Sequence, residues 1–380
     1  MGDYGVKDDI PTEPAISDST IKEKPQYSEE QIAMSNPDPE FASLFNGPLP
    51  SGGFFTSAPI ADLRAQHAAM EKAACGESIT LNTRESVGHT RMRDGYLSET
   101  RIIRPSALPE TPGPLIVLIY GGGYLLGTNK QLIPFARALS TLYDATAVTV
   151  SYRVAPEWKF PISPNDVWDS VSWIAEHATL LGADPTKGFI LGGVSAGGQL
   201  TTLIAQRALK NNLSPPITGL WVSVPVTTLT ADGIPEQYRD MWVSRTQNGN
   251  APVLDVADIK FAEDAVLPDL QSDLFSPYAH PHLASRLPRA YVQVAGLDPL
   301  RDDGLVYERY LRDNGVETRL DVYPGVPHCH YAFFPQLKES KRFCADVLVG
   351  VGWLLGREVG SEDVVRGAEV ALGLQECVLG

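Results

Sequence analysis

The sequence predicts an α/β fold built on a mostly parallel sheet, and three observations carry that expectation. Continuous apolar runs at residues 115–120 and 145–152 have the character of central parallel strands, which are covered on both faces and need no polar alternation. Segments with apolar residues at three-to-four-residue spacing, such as Val167, Val171, Ile174 and Ala178, alternate with them. A third run, Phe189, Ile190 and Leu191, passes through Gly193, Val194, Ser195, Ala196 and Gly197 into a helical pattern marked by Leu200, Leu203, Ile204 and Ala208. That is a strand-to-helix elbow of the G-x-S-x-G type with Ser195 at its apex.

Taken in order, residues 1–35 are rich in Asp, Glu, Pro, Ser and Lys and poor in large apolar groups. They are expected to form a flexible acidic tail, because they bury too little to offset the entropy of ordering. Ten acidic against three basic side chains in residues 1–40 give that region −7 of the formal net charge of −15. From Pro39 the character changes. Phe41, Leu44, Phe45, Leu49, Phe54 and Phe55 supply bulk, and residues 60–74 read as a helix with Leu63, His67 and Met70 on one side. Residues 36–75 are therefore assigned to an N-terminal cap segment.

Strands are expected at 78–82, 89–93 and 98–104 ahead of the central runs, and at 219–225, 290–295 and 319–323 after the elbow. Residues 76–225 and 288–356 make up the α/β core, which ends in a helix over 338–355. Residues 226–287 carry Tyr238, Trp242 and several prolines and are too long for a plain loop, so they read as a cap insertion. Residues 357–380 are left as a C-terminal tail with no assigned role.

Composition excludes some functions. The body beyond the tail is mildly acidic with no basic stripe, which argues against nucleic acid and anionic membrane surfaces as partners. Cys75, Cys329, Cys344 and Cys377 are widely spaced and are expected as free thiols in a reducing, cytoplasmic setting. The nearly apolar run 344–356 is too short to span a bilayer and contains Asp346, so no membrane insertion is expected. His280 with His282, and His328 with Cys329 and His330, lack a third spaced ligand, so no metal site is assigned. A homodimer is compatible with these features.

Acyl transfer at a serine needs a base, a group to orient the base, and donors for the developing oxyanion. In this fold the acid and then the histidine should follow the serine, each at the end of a strand. Asp298 follows the run YVQVAGL and His328 follows LDVYPGVP, so both are candidates, with His330 as the alternative base. Asp302 and Asp303 read as solvated residues at the start of a helix, and His67, His89, His177, His280 and His282 as packing or surface residues. Gly121, Gly122 and Gly123 follow the central run and let the backbone approach a substrate closely, so the oxyanion donors are expected at Gly122, Gly123 and Ala196.

The blocks YGGGYLLG (residues 120–127), SYRVAPE (151–157), GVSAGG (193–198), SPYA (276–279), GLDPLRDDG (296–304) and YPGVPH (323–328) resemble the hormone-sensitive-lipase family of α/β-hydrolases, in its order and spacing over about residues 60–355. The resemblance implies a sheet of about eight strands flanked by helices, a helical cap over the site, and cofactor-free cleavage of carboxylic esters. The catalytic set would be Ser195, Asp298 and His328. Tyr124, Phe41, Phe45, Tyr238 and Trp242 are expected to contact the small-molecule ester. Two positions depart from the family: Tyr120 stands where it usually has histidine, and Val194 where it often has aspartate. A phenol can also hydrogen-bond across the glycine loop, so the oxyanion hole is expected to survive with altered support.

Three functions follow in order of preference: a carboxylesterase for small to medium apolar esters, a specialised-metabolism enzyme using the same triad for acyl transfer, cyclisation or elimination, and a ligand-binding relative without catalysis.

Overall fold

A computed structural model describes residues 29–75, 83–107 and 110–373. Its sheet begins with a hairpin of β1 (Thr83–Arg91) and β2 (Leu97–Pro105), paired antiparallel from Thr83 opposite Pro105 to Arg91 opposite Leu97. The expected strands at 89–93 and 98–104 fall in this hairpin, but residues 92 and 93 turn. The Met92 amide donates to the Tyr96 carbonyl at 2.8 Å around Asp94 and Gly95, residues suited to a tight reversal. The strand expected at 78–82 lies outside the described residues.

Next come β3 (Leu115–Ile119), β4 (Thr146–Val150), β5 (Phe189–Val194), β6 (Gly219–Ser223), β7 (Arg289–Leu297) and β8 (Thr318–Pro327). Among the described residues the sheet has eight strands in the order β1-β2-β4-β3-β5-β6-β7-β8, parallel from β4 onward. Every residue of β3, β4, β5 and β6 is buried, which is why these strands carry no charged side chain.

Helices α1 (Glu29–Ala33), α2 (Pro39–Ala42) and α3 (Ile60–Cys75) precede the sheet. Crossovers are made by α4 (Ile133–Tyr143), α5 (Ile162–Glu176) and α6 (Ala196–Lys210). After α7 (Ser244–Gln247) and α8 (Val256–Val266) come α9 (Arg301–Asp313), α10 (His330–Phe333), α11 (Lys338–Leu355) and α12 (Ser361–Ala371). Strand alternation divides the core into two layers. Leu115, Val117 and Ile119 of β3 pack with Val171, Ile204 and Val306 of α5, α6 and α9. Ile116 and Leu118 pack on the other face with Leu139, Leu348 and Val370 of α4, α11 and α12.

Within the described residues, 29–35 and 357–373 differ from the expected tails. The Gly325 amide donates to the Met34 carbonyl at 2.8 Å and Arg301 Nη1 to Ser35 Oγ at 2.8 Å, so residues 32–38 strap the ends of β7 and β8. The reason is local: side-chain-free Gly296 and Gly325 leave room for this backbone, and a Cβ on either would collide with it. Residues 357–373 are not a tail either, because Val364, Ala368, Val370 and Ala371 bury an apolar stripe of α12 against α4 and α11. No helix among the described residues is long and apolar enough to cross a membrane.

Candidate active site

The elbow leaves one residue between β5 and α6, and Ser195 turns the chain with φ 56° and ψ −119°. A non-glycine residue in that region is strained and is held there by its surroundings. Glycine is required on both sides. A Cβ at Gly193 would collide with the Gly197 carbonyl, and one at Gly197 with the carbonyls of Ile119 and Tyr120. The Ser195 amide donates to the Ser223 carbonyl at the end of β6, at 2.9 Å, which fixes the turn to the neighbouring strand.

Asp298 directly follows β7 and His328 directly follows β8, adjacent parallel strands that deliver both side chains to one edge. His328 Nδ1 lies 2.7 Å from Asp298 Oδ2, and His328 Nε2 lies 3.0 Å from Ser195 Oγ. With the carboxylate accepting from Nδ1–H, Nε2 is left as the acceptor for the serine hydroxyl. Asp298 is itself fixed: its Oδ1 accepts from the Leu300 amide at 2.8 Å and its carbonyl from Asn248 Nδ2 at 2.9 Å. Burial disfavours the charged form of His328, but the Asp298 carboxylate and Cys329 together outweigh it and hold the imidazole well above its ordinary pKa. His330, the alternative base, points elsewhere: its Nδ1 is 2.9 Å from Ser340 Oγ, and burial takes its pKa down to about 3.

Gly122, Gly123 and Ala196 line the same cavity as Ser195 and His328. Neither the Gly122 nor the Gly123 amide has an acceptor among the described residues, and Ala196, as the first residue of α6, has no helical acceptor for its own. The loop ahead of them is supported by a pair of tyrosines. Tyr120 Oη donates to the Tyr152 carbonyl at 2.9 Å and Tyr152 Oη to the Tyr120 carbonyl at 3.0 Å, with the rings stacked 4.2 Å apart. Burial pushes both phenols up, so they stay neutral. Val194, at the other departure from the family pattern, is 1% exposed among apolar neighbours.

The cavity holds about 210 Å³ and is mainly apolar in its lining. Tyr124 belongs to it, with its hydroxyl donating to Gln199 Oε1 at 2.7 Å. Four other expected contacts do not line it. Phe41 and Phe45 meet Phe334 edge-on in the core beneath, because α2 tucks under the strand ends. Tyr238 donates to Asp313 Oδ2 at 2.9 Å, and Trp242 Nε1 to Asp303 Oδ2 at 2.9 Å, which pins residues 236–242 to α9 and away from the site. Nor are Asp302 and Asp303 solvated, both being fully buried. Asp302 accepts from the Val243 and Ser244 amides and pairs with Arg301, while Asp303 accepts from Thr227 and Trp242.

The lining that sequence reading missed includes Phe54 and Phe55, the residues around α8, part of the segment 329–335 and the end of α12 with Ala371 and Leu372. His67, read as packing or surface, also lines it. Its Nε2 lies 3.4 Å from Gln131 Nε2, and Gln131 Oε1 accepts from the Gly121 amide at 2.8 Å. The i,i+4 pair of His67 and Glu71 was the available signal, since it places two polar groups on one face of α3.

A serine on this elbow, within reach of an imidazole and a carboxylate at the ends of the last two strands of such a sheet, defines an α/β-hydrolase of the esterase type. Residues 116–332 match the family described as alpha/beta hydrolase fold, and the chain belongs to that family, in its hormone-sensitive-lipase and carboxylesterase-like branch. An AB hydrolase superfamily protein of Schizosaccharomyces pombe is 35% identical over 273 residues, which cover 71% of this chain and 80% of that protein. A versiconal hemiacetal acetate esterase of Dothistroma septosporum is 31% identical over 253 residues, 66% of this chain and 76% of its own. Among solved structures, vibralactone cyclase superposes with a TM-score of 0.77 at 28% identity, covering 85% of this chain and 96% of its own.

Proposed function

We propose that this protein is a serine carboxylesterase for small to medium apolar esters, acting through an acyl-enzyme on Ser195. The observation that carries the reading is the hydrogen-bonded line Asp298–His328–Ser195 opening onto a mainly apolar cavity. In the first half-reaction Ser195 Oγ attacks the ester carbonyl carbon while its proton passes to His328 Nε2. The carbonyl oxygen becomes an oxyanion, received by the amides of Gly122, Gly123 and Ala196. Collapse breaks the bond to the alcohol, which leaves with the proton from His328. Water then repeats the sequence on the acyl-enzyme, with His328 as base, and releases the acid. Asp298 holds the imidazole in the tautomer that each step needs.

The absence of lysine and arginine among the described cavity residues, with Glu71 and Glu263 present there, favours uncharged esters over those carrying a carboxylate. Free thiols at Cys75, Cys329 and Cys344 support a reducing, cytoplasmic setting. The test is Ser195→Ala against p-nitrophenyl butyrate, with a loss of several orders of magnitude expected if the three residues act as a unit. Retained turnover in that variant overturns the assignment.

Similarity to vibralactone cyclase favours a second reading, in which the acyl group is passed to a nucleophile within the substrate instead of to water. A panel of simple esters separates the two. Labelling of Ser195 by a fluorophosphonate with hydrolysis of none of the panel favours the cyclising reading. A binding protein without catalysis is the least supported, since such a protein has no need of an intact acid, base and nucleophile.

A further inference from the structure

The cap reaches the cavity in two pieces far apart in sequence, residues 52–56 and α8, and one side chain joins them. Asp258, in the first turn of α8, is fully buried. Its Oδ2 accepts from the amides of Gly53 and Phe54, each at 2.9 Å, and its Oδ1 from the amides of Phe55 at 2.7 Å and Thr56 at 3.2 Å. The Asp255 amide, at 3.3 Å from Oδ2, closes the N-cap of the helix. Among the described residues no Lys, Arg or His pairs with this carboxylate, so its charge is met by backbone N–H groups, as at an anion-binding nest. The approach is close. A Cβ at Gly52 would lie 2.6 Å from both the Ala251 carbonyl oxygen and Asp255 Cβ.

Both joined pieces line the cavity, Phe54 and Phe55 in one and Ile259, Ala262 and Val266 in the other, and they pack in one apolar cluster. The Phe55 ring also lies against Gly123, 2.8 Å from where a Cβ would stand.

We infer that Asp258 is a positioning residue for substrate selection: it clasps the N-terminal cap segment to α8, holds the Phe55 ring against the glycine loop and Phe54 at the cavity wall, and thereby sets the preference for longer acyl chains. The inference rests on the esterase reading and adds to it the element that fixes part of the cavity's wall. It differs from any role in the chemical step, because Asp258 neither lines the cavity nor touches Ser195, Asp298 or His328.

Asp258→Asn tests this. It is nearly isosteric, but its amide NH2 would face N–H donors and could not accept from them. Two readouts are needed. Hydrogen exchange of the 53–56 amides is expected to speed up by at least about tenfold, a measurement independent of turnover and of the esterase reading. The ratio of kcat/KM for p-nitrophenyl hexanoate over acetate is expected to fall by about tenfold through KM, equivalent to roughly two methylenes left unburied. Asp258→Glu, which keeps the acceptors, is expected to recover part of both. Unchanged exchange in the Asn variant overturns the clasp, and so does an equal loss of kcat for both esters with normal fluorophosphonate labelling. Should the wild type hydrolyse no ester, the esterase reading fails while exchange still decides the clasp. Should Asp258→Asn fail to fold, Phe54→Ala and Phe55→Ala carry the selectivity test, and an unchanged hexanoate-to-acetate ratio in both overturns it.

Discussion

Tyr120→Phe isolates the support of the glycine loop. The substitution removes one oxygen and keeps the ring stacked 4.2 Å from Tyr152, so packing is conserved. What is lost is the 2.9 Å bond from Tyr120 Oη, and the Tyr152 carbonyl is left without it beside a residue only 4% exposed. Leaving a buried acceptor unsatisfied costs about 1–3 kcal/mol. Urea unfolding should show this as a lower midpoint with an unchanged slope. The same carbonyl–phenol link anchors the chain one residue before Gly121, so loosening it should also misplace the oxyanion donors. A loss of about 1.4 kcal/mol of transition-state stabilisation is a tenfold fall in kcat, with KM for a short aryl ester little changed. The reciprocal bond of Tyr152 to the Tyr120 carbonyl, at 3.0 Å, predicts non-additivity with Tyr152→Phe. A variant with full stability and full kcat would refute the idea that these phenols replace the usual histidine.

Asp298→Asn should lower kcat on the order of 10⁴-fold, as expected when an imidazole loses the partner that fixes its tautomer. The base works unprotonated, so activity falls as pH drops through the His328 pKa, which the Asp298 carboxylate and Cys329 hold up against burial. The Asn variant should therefore move the acid limb of the kcat/KM profile to lower pH, and an unmoved limb would count against that coupling. Val194→Asp places a carboxylate in apolar surroundings at a site 1% exposed, and should cost more than about 2 kcal/mol in chemical denaturation. An unchanged midpoint would show that the site still accommodates the family's acid. Ala371→Phe should fill part of the cavity wall and cut kcat/KM for a hexanoate roughly tenfold more than for an acetate, whereas equal effects would remove α12 from the lining.

The central strands and the elbow were legible because their signals are local. Burial on both faces writes itself as the apolar runs of β3, β4 and β5, and the turn at Ser195 requires Gly193 and Gly197 within two residues. Asp298 and His328 could be placed because each follows a strand directly. The cavity lining was less legible. Phe41 and Phe55 look alike in sequence, and only distant partners separate them: Phe334 draws one into the core, and Asp258 holds the segment of the other over the site. Asp302 and Asp303 read as surface charges because the amides that satisfy them lie in the insertion around Thr227 and Ser244. The apolar stripe of α12 was present in residues 357–380, but its target on α4 and α11 is a tertiary fact.

Helix α12 also shapes the cavity, through Ala371 at its end. It comes after the final strand, so lengthening it, trimming it or exchanging it re-threads no part of the sheet. Variation near Ala371 and Leu372 can therefore redraw the cavity wall while Ser195, Asp298 and His328 stay as they are.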